Sequence, residues 1–254
     1  MKHIKVFANE AQYNAAYAAG KIEIPTVSYI RLNDKLKYDT HLYAVDRRTN
    51  APFMTWLVDN GYNGESTDYL TFEEAANLNI YIPPTDIVSY GITSLWELKY
   101  FTSQTSLPTD SGSSGSVDTL QYLYIPDSVT GNKSTTRMMF SSLKKIHWGD
   151  GLTAICNYRT IPTIQYIGKN VTALGNNTSI PGIGSTKRII ICAATTCPSG
   201  YFPNQGASGF TYAGMKLYVP DELVDTYKAN SNWSKLQSSG DGIVALSTYD
   251  GEEY

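Results

Sequence analysis

The stretch Leu120-Gln-Tyr-Leu123-Tyr-Ile125-Pro-Asp-Ser-Val129-Thr130 returns as Leu143-Lys-Lys-Ile146-His-Trp148-Gly-Asp-Gly-Leu152-Thr153 and again as Ile164-Gln-Tyr-Ile167-Gly-Lys-Asn-Val171-Thr172. Two looser copies, Ile189-Ile190-Ile191-Cys192 and Leu217-Tyr218-Val219-Pro220-Asp221, keep the strand and lose part of the turn. With positions 125, 148, 167, 191 and 219 taken as equivalent, the copies stand 23, 19, 24 and 28 residues apart. A unit of that length has too little apolar surface to fold alone and must bury its face against its neighbours. The period therefore predicts a solenoid whose strands stack into one parallel sheet.

Within a unit, Leu123 and Ile125, or Ile146 and Trp148, are two apart and point to the same side of a short strand. Pro or Gly with a polar partner then turns the chain, and Val129, Leu152 or Val171 returns an aliphatic group to the core. Gln165 falls where Leu123 and Ile146 are inward, which predicts a one-residue bulge or a locally different pairing in the third copy. The residues between the inward ones are Tyr124, His147 and Tyr218, joined by Tyr166 and Ile190 in the less regular copies. They are expected to face outward as an aromatic ladder. A row of tyrosines offers rigid apolar area with a hydrogen-bonding tip, which suits a protein or glycan ligand. The same row also serves as plain cross-strand stacking worth a few tenths of a kcal/mol per pair. Both readings stand at this point. Lys145, Arg188 and Lys216 read as a solvated edge.

Outside the repeats, residues 1–45 read as a small docking or capping segment. A helix starts at Asn9 and stops at Gly20, and Val27–Leu32 with Lys35–Tyr38 forms a hairpin around Asn33-Asp34. Residues 46–104 read as a helical cap and first repeat: Pro52 opens one helix, Asn60-Gly61 stops it, and Thr71 with Glu74 forms a capping box for the next. Residues 105–119 are rich in Gly and Ser and are expected to be an exposed loop. Residues 120–254 hold the repeats and a C-terminal cap, in which Asp221 is expected to cap a helix whose Leu223, Val224 and Tyr227 cover the last repeat. The loop from Asn63 to Glu74 has an EF-hand rhythm, but Asp68 stands where the sharp turn wants glycine, and Asn63 and Thr67 replace carboxylates. It is expected to have kept the shape without a useful calcium affinity.

Charged residues are only 17% of the 254 and hydrophobic ones 42%, which excludes a disordered chain and a coiled coil. A net charge of −3 leaves no electrostatic footprint for nucleic acid. The longest apolar run, Ile189 to Ala194, stops at strand length, so no membrane insertion is expected. The N-terminal stretch reaches Asn9 and Glu10 before an apolar signal core can form, so no secretory signal is expected in it. Cys156, Cys192 and Cys197 read as reduced, mostly buried thiols, since a core of this size needs no staple. The G-x-S-x-G, H-E-x-x-H and phosphate-loop patterns are absent, and His3, His41 and His147 lie in three different segments. No enzyme, metal or cofactor is expected, and His147 reads as a satisfied surface histidine.

The phrases Ile-Pro-Asp-Ser-Val-Thr, Gly-Asp-Gly-Leu-Thr-Ala-Ile and Ile-Gly-Lys-Asn-Val-Thr-Ala-Leu resemble the BspA-like leucine-rich repeats of surface proteins from gut and oral anaerobes. Ile92 to Phe101 resembles the repeat that opens such arrays, and Leu217 to Lys228, with Trp233 and Ile243 to Leu246, is similar to their terminal unit. Residues 1–40 resemble N-terminal segments of virion proteins from phages of the same bacteria. The resemblance implies a mainly β chain with short helices: a leucine-rich-repeat solenoid with a parallel sheet, preceded by a small α+β N-terminal segment. It implies a non-catalytic recognition or structural module located on a phage virion, as a fibre or decoration protein. Its partners would be a protein or glycan ligand and other virion proteins. The alternatives are an extracellular bacterial adhesin that binds host protein or glycan, and a hydrolase hidden on the solenoid.

Overall fold

The computed structural model of the chain describes residues 4–7, 27–32, 35–39, 43–109, 117–133, 137–138, 140–155, 157–158, 162–174, 188–199, 214–239 and 241–251. The chain divides into two compact units, Met1–Ala44 and Val45–Tyr254. In the first, β1 (Ile4–Phe7) runs parallel to β2 (Val27–Leu32), which pairs antiparallel with β3 (Lys35–Asp39). The expected hairpin therefore forms; the helix expected from Asn9 to Gly20 lies outside the described residues.

The second unit opens with β4 (Val45–Asp46), antiparallel to β5 (Tyr69–Leu70), and between them lies α1 (Ala51–Asp59). Pro52 sits in the first turn of α1, where a missing N–H costs nothing, and Asn50 accepts the Phe53 N–H as N-cap. The buried Asn50 also donates to the Ser94 carbonyl at 3.0 Å and so ties the helix start to the first strand of the main sheet. Next come α2 (Phe72–Ala76) and α3 (Pro84–Ser89). The capping box expected at Thr71 and Glu74 is present. Gln104, fully buried, replaces a strand partner: it accepts the Ile80 N–H and donates to the carbonyls of Ile80 and Ser106.

Seven strands then build one parallel sheet in chain order: β6 (Ser94–Leu95), β7 (Tyr122–Ile125), β10 (Lys145–Trp148), β13 (Ile164–Ile167), β14 (Arg188–Cys192), β15 (Met215–Val219) and β16 (Gly242–Ala245). A second file of parallel pairing runs beside it. β8 (Gly131–Asn132) pairs with β11 (Leu152–Ala154), and single bridges carry the file on through Ala154, Ala173 and Ser199. β9 (Arg137–Met138) and β12 (Asn157–Tyr158) make a third short pair. A 3-10 helix, Trp96–Tyr100, cuts β6 short, and α4 (Val224–Ala229) and α5 (Lys235–Ser239) pack against β16 at the far end.

The core sits on one side of the sheet. Leu95, Leu123, Ile146, Gln165, Ile190, Leu217 and Ile243 stand in one cross-strand row, each at most 2% exposed. A second row holds Ile125, Trp148, Ile167, Cys192 and Val219, all fully buried. Val129, Leu152 and Val171 return below them, also fully buried. Each Leu or Ile so covered contributes about 1.5–3 kcal/mol.

Four expectations change here. The third copy has no bulge: Gln165 pairs in continuous register with Ile146 and Ile190 and is fully buried. The fourth copy is one residue out of step with the sequence alignment, because Ile167 faces Cys192 and so Ile190 is inward and Ile191 outward. The strip after residue 105 is not uniformly exposed: Leu107, Pro108 and Thr109 are buried, the Pro108 carbonyl accepts the Ile82 N–H, and residues 110–116 lie outside the described set. Asp221 does not cap the helix. Its carboxylate takes the Ser247 N–H and hydroxyl at 3.1 and 2.6 Å, and of Leu223, Val224 and Tyr227 only Tyr227 is buried.

Tyr227 instead anchors the C-terminal cap. Its ring meets Trp233 edge-on at 5.3 Å, its hydroxyl lies 3.2 Å from Cys192 Sγ, and Trp233 Nε1 donates to the Pro198 carbonyl. Burial pushes both the Cys192 and Cys197 thiols up to about 11, so both are protonated at neutral pH, and both are free. Cys156 lies outside the described residues.

After β10 and β13 the turns approach so closely that the first residue past the strand has no room for a side chain toward the preceding turn. A Cβ on Gly149 would lie 2.4 Å from the Pro126 carbonyl oxygen, and one on Gly168 would lie 2.5 Å from that of Gly149. Gly149→Ala is accordingly expected to destabilise by about 1–3 kcal/mol through overpacking against backbone. A lowered urea midpoint with an unchanged slope is the expected observation, against a neutral result for Thr130→Ala on the exposed turn.

Candidate functional site

The outward row of the sheet is Tyr124, His147, Tyr166, Ile191, Tyr218 and Val244, one residue per strand from β7 to β16. All four residues expected to form the ladder are therefore brought together, and Ile191 takes the place expected for Ile190. Tyr124 and His147 stack with ring centroids 4.0 Å apart and planes 10° off parallel. His147 and Tyr166 stack at 4.3 Å and 13°. These separations are slightly shorter than the strand spacing of about 4.8 Å, so the rings lean onto one another as well as following the backbone. Trp96 closes one end edge-on to Tyr124 at 5.4 Å, and Tyr249 meets Tyr218 edge-on at 4.9 Å.

Depth is where the site departs from expectation. His147, Tyr166 and Tyr218 are each 6% exposed and Ile191 is fully buried, so this row is packed rather than open to water. Ile164, Ile189, Ala193, Val244, Leu246 and Tyr249 pack around Tyr166, Ile191 and Tyr218 as a second apolar cluster on the outer side. His147 is thus a buried ring held between two tyrosines. The accessible strip on this face is the neighbouring row of Tyr122, Lys145, Ile164, Ile189 and Lys216, in which Tyr122 is 38% exposed and the rest are half-buried. The Lys145 ammonium lies 4.5 Å from the centre of the Trp96 ring, and that of Lys216 lies 5.2 Å from Tyr218. Lys145 and Lys216 lie over aromatic faces, an attraction of about 0.5–1 kcal/mol each at such sites.

A polar edge borders the ladder at the turns. Asp127 Oδ1 accepts the Asp150 N–H at 2.9 Å, and Asp150 Oδ1 accepts the Lys169 N–H at 2.9 Å. Asp221 repeats the bond to the Ser247 N–H. In each case the carboxylate stands two residues past the last inward strand residue and holds the equivalent amide of the next unit. The recurring Pro-Asp and Gly-Asp dipeptides were its visible signal. Asp150 also accepts the Tyr166 hydroxyl at 3.0 Å and pairs with Lys169 Nζ at 3.0 Å, and its carbonyl takes Asn170 Nδ2 at 2.7 Å.

His147 Nε2 lies 3.7 Å from Asp127 Oδ1, and its Nδ1 has no hydrogen-bond partner among the described residues. Neither ring nitrogen of His147 has a hydrogen-bond partner among the described residues, a hydroxyl or thiol included. The His147 ring beside it, opposed by burial and aided by the Asp150 N–H, holds the Asp127 carboxyl below its ordinary value. In the loop from Asn63, the Glu74 carboxylate is engaged by the Thr71 N–H, the Thr71 hydroxyl and the Glu65 N–H. That is a capping role for the residue a calcium loop would use as its bidentate ligand.

Comparison with protein-family models, with curated proteins and with solved structures gives no match.

Asp150→Ala removes two charge-assisted bonds and leaves the Tyr166 hydroxyl without that acceptor. It is expected to cost about 1–3 kcal/mol in chemical denaturation, while Asp68→Ala on the exposed loop stays near neutral. Asp127 adds a pH signature: its folded value is depressed, so its stabilisation is present above the unfolded value of about 3.8 and is lost as pH falls through the folded one. Asp127→Asn is expected to flatten the melting temperature in that acid range.

Proposed function

We propose that this protein is a non-catalytic recognition and structural module built as a leucine-rich-repeat solenoid of the BspA-like kind. The observation that carries this reading is the chain-order parallel sheet, whose inward rows repeat from one strand to the next and whose turn carboxylate recurs at Asp127, Asp150 and Asp221. A scaffold of this kind presents a long face whose chemistry is set by one or two residues per unit. Here that face is the accessible strip of Tyr122, Lys145, Ile164, Ile189 and Lys216, and the ladder of half-buried Tyr124 and buried His147, Tyr166 and Tyr218 supports it from the side. A half-exposed tyrosine, two lysines and two isoleucines suit a protein or glycan ligand with an apolar face and acceptor groups.

Within that class we place the protein on a phage particle, as a fibre or surface decoration, on the resemblance of residues 1–40 to virion segments. Mass spectrometry of purified particles is expected to find the chain at stoichiometric levels. Its recovery only from host envelope fractions would favour the bacterial adhesin. For the face itself, Tyr122→Ser combined with Lys145→Ser is expected to weaken binding to the target cell envelope roughly tenfold or more, with the melting temperature lowered by only a few degrees through the lost Lys145–Trp96 contact. Unaltered binding would remove the strip from the interface.

A further inference from the structure

His147 is a titratable ring placed where a proton is hard to accommodate. Its two faces are covered by Tyr124 and Tyr166, it is 6% exposed, and Nδ1 is buried without a hydrogen-bond partner among the described residues. The charged groups facing it come from three turns and its own strand. Asp127 follows β7 and lies 3.7 Å from Nε2; Asp150 follows β10; Lys145 is on β10 itself; and Lys169, after β13, is paired to Asp150. The neutral ring suits this setting, since it needs no acceptor for a second N–H. The imidazolium does not, because it must bury a charge and a second donor.

Asp127 could take the Nε2 proton only by closing on the ring. Its Oδ1 is the same atom that holds the Asp150 amide of the next turn. Asp150 in turn holds Tyr166, the ring on the other side of His147. A proton on His147 therefore presses on the inter-turn bond and on both faces of the stack at once.

We infer that the Tyr124–His147–Tyr166 stack is an acid-operated joint: protonation of His147 loosens the packing of β7, β10 and β13 and leaves the far end of the sheet closed. The direction follows from the balance of groups. Burial, reinforced by Lys145, outweighs the attraction of Asp127 and Asp150 and keeps the ring's affinity for a proton below the ordinary value of 6.5. A depressed folded value means that the stabilisation is whole above the unfolded value and is lost as pH falls through the folded one. The stabilisation is thus lost as pH falls below about 6.5. The joint is independent of what the sheet's outer face binds.

The test is amide hydrogen exchange on the full chain at about pH 7 and about pH 5, corrected for the intrinsic rates. Protection of residues 122–125, 145–148 and 164–167 is expected to fall severalfold across this step, while residues 215–219 hold. His147→Phe keeps a stacked ring without a titrating group and is expected to abolish the fall; His147→Gln serves the same purpose if the phenylalanine variant does not fold. An imidazole titration by NMR, in a chain that also carries His3→Gln and His41→Gln, is expected to place the His147 midpoint below about 6.5. A midpoint at or above that value, constant protection in the wild type, or an undiminished fall in the variants would overturn the joint.

Discussion

Each strand of the main sheet is hydrogen-bonded to the sheet strands next to it in chain order, with β6 and β16 at the edges. No strand-turn unit from β7 onward encloses its own core: Leu123 and Ile125 are covered because Ile146 and Trp148 lie beside them, and these in turn because Gln165 and Ile167 do. That dependence explains the steric demands of the turns. Backbone must approach backbone at the strand spacing, so glycine occupies positions 149 and 168, where any larger residue would strike the preceding carbonyl. It also explains the turn carboxylates, since Asp127, Asp150 and Asp221 each satisfy an amide of the next unit that a bare turn would leave to solvent.

The outer face obeys the same rule with different chemistry. Side chains at equivalent positions are held one strand spacing apart, which is close to the stacking distance of flat rings. Tyr124, His147 and Tyr166 therefore stack because the register leaves them face to face. Once stacked, they shield one another from water. A row that alternation assigns to the outside becomes a second packed layer, and the accessible side chains are those of the row beside it.

Much of this was legible where the apolar alternation was clean. Leu123/Ile125 and Ile146/Trp148 fixed which side faces the core, and Thr71 with Glu74 announced its own helix start. Legibility failed where the local signal was ambiguous or outweighed. The run Ile189-Ile190-Ile191-Cys192 has no polar residue to set its parity, so the reading slipped by one and chose Ile190 over Ile191. Gln165 looked out of register because it is polar, yet continuous backbone pairing keeps it in the inward row. Asp221, followed by Glu and Leu, reads as a helix cap, but Ser247 from β16's turn claims its carboxylate. The depth of His147 was not legible at all, because alternation gives the side of a strand and says nothing of what lies on it.

The chain-order pairing bears on how the polypeptide acquires its shape. Paired inward residues of the sheet are only 19 to 28 positions apart along the chain, from Leu95 to Ile243. Closing such loops is entropically modest, and each new closure lands on an edge already formed. A nascent chain leaving the ribosome can thus zip up from the Asn50-anchored first strand, one strand at a time, with the Tyr227–Trp233 segment and then β16 arriving last at the growing end.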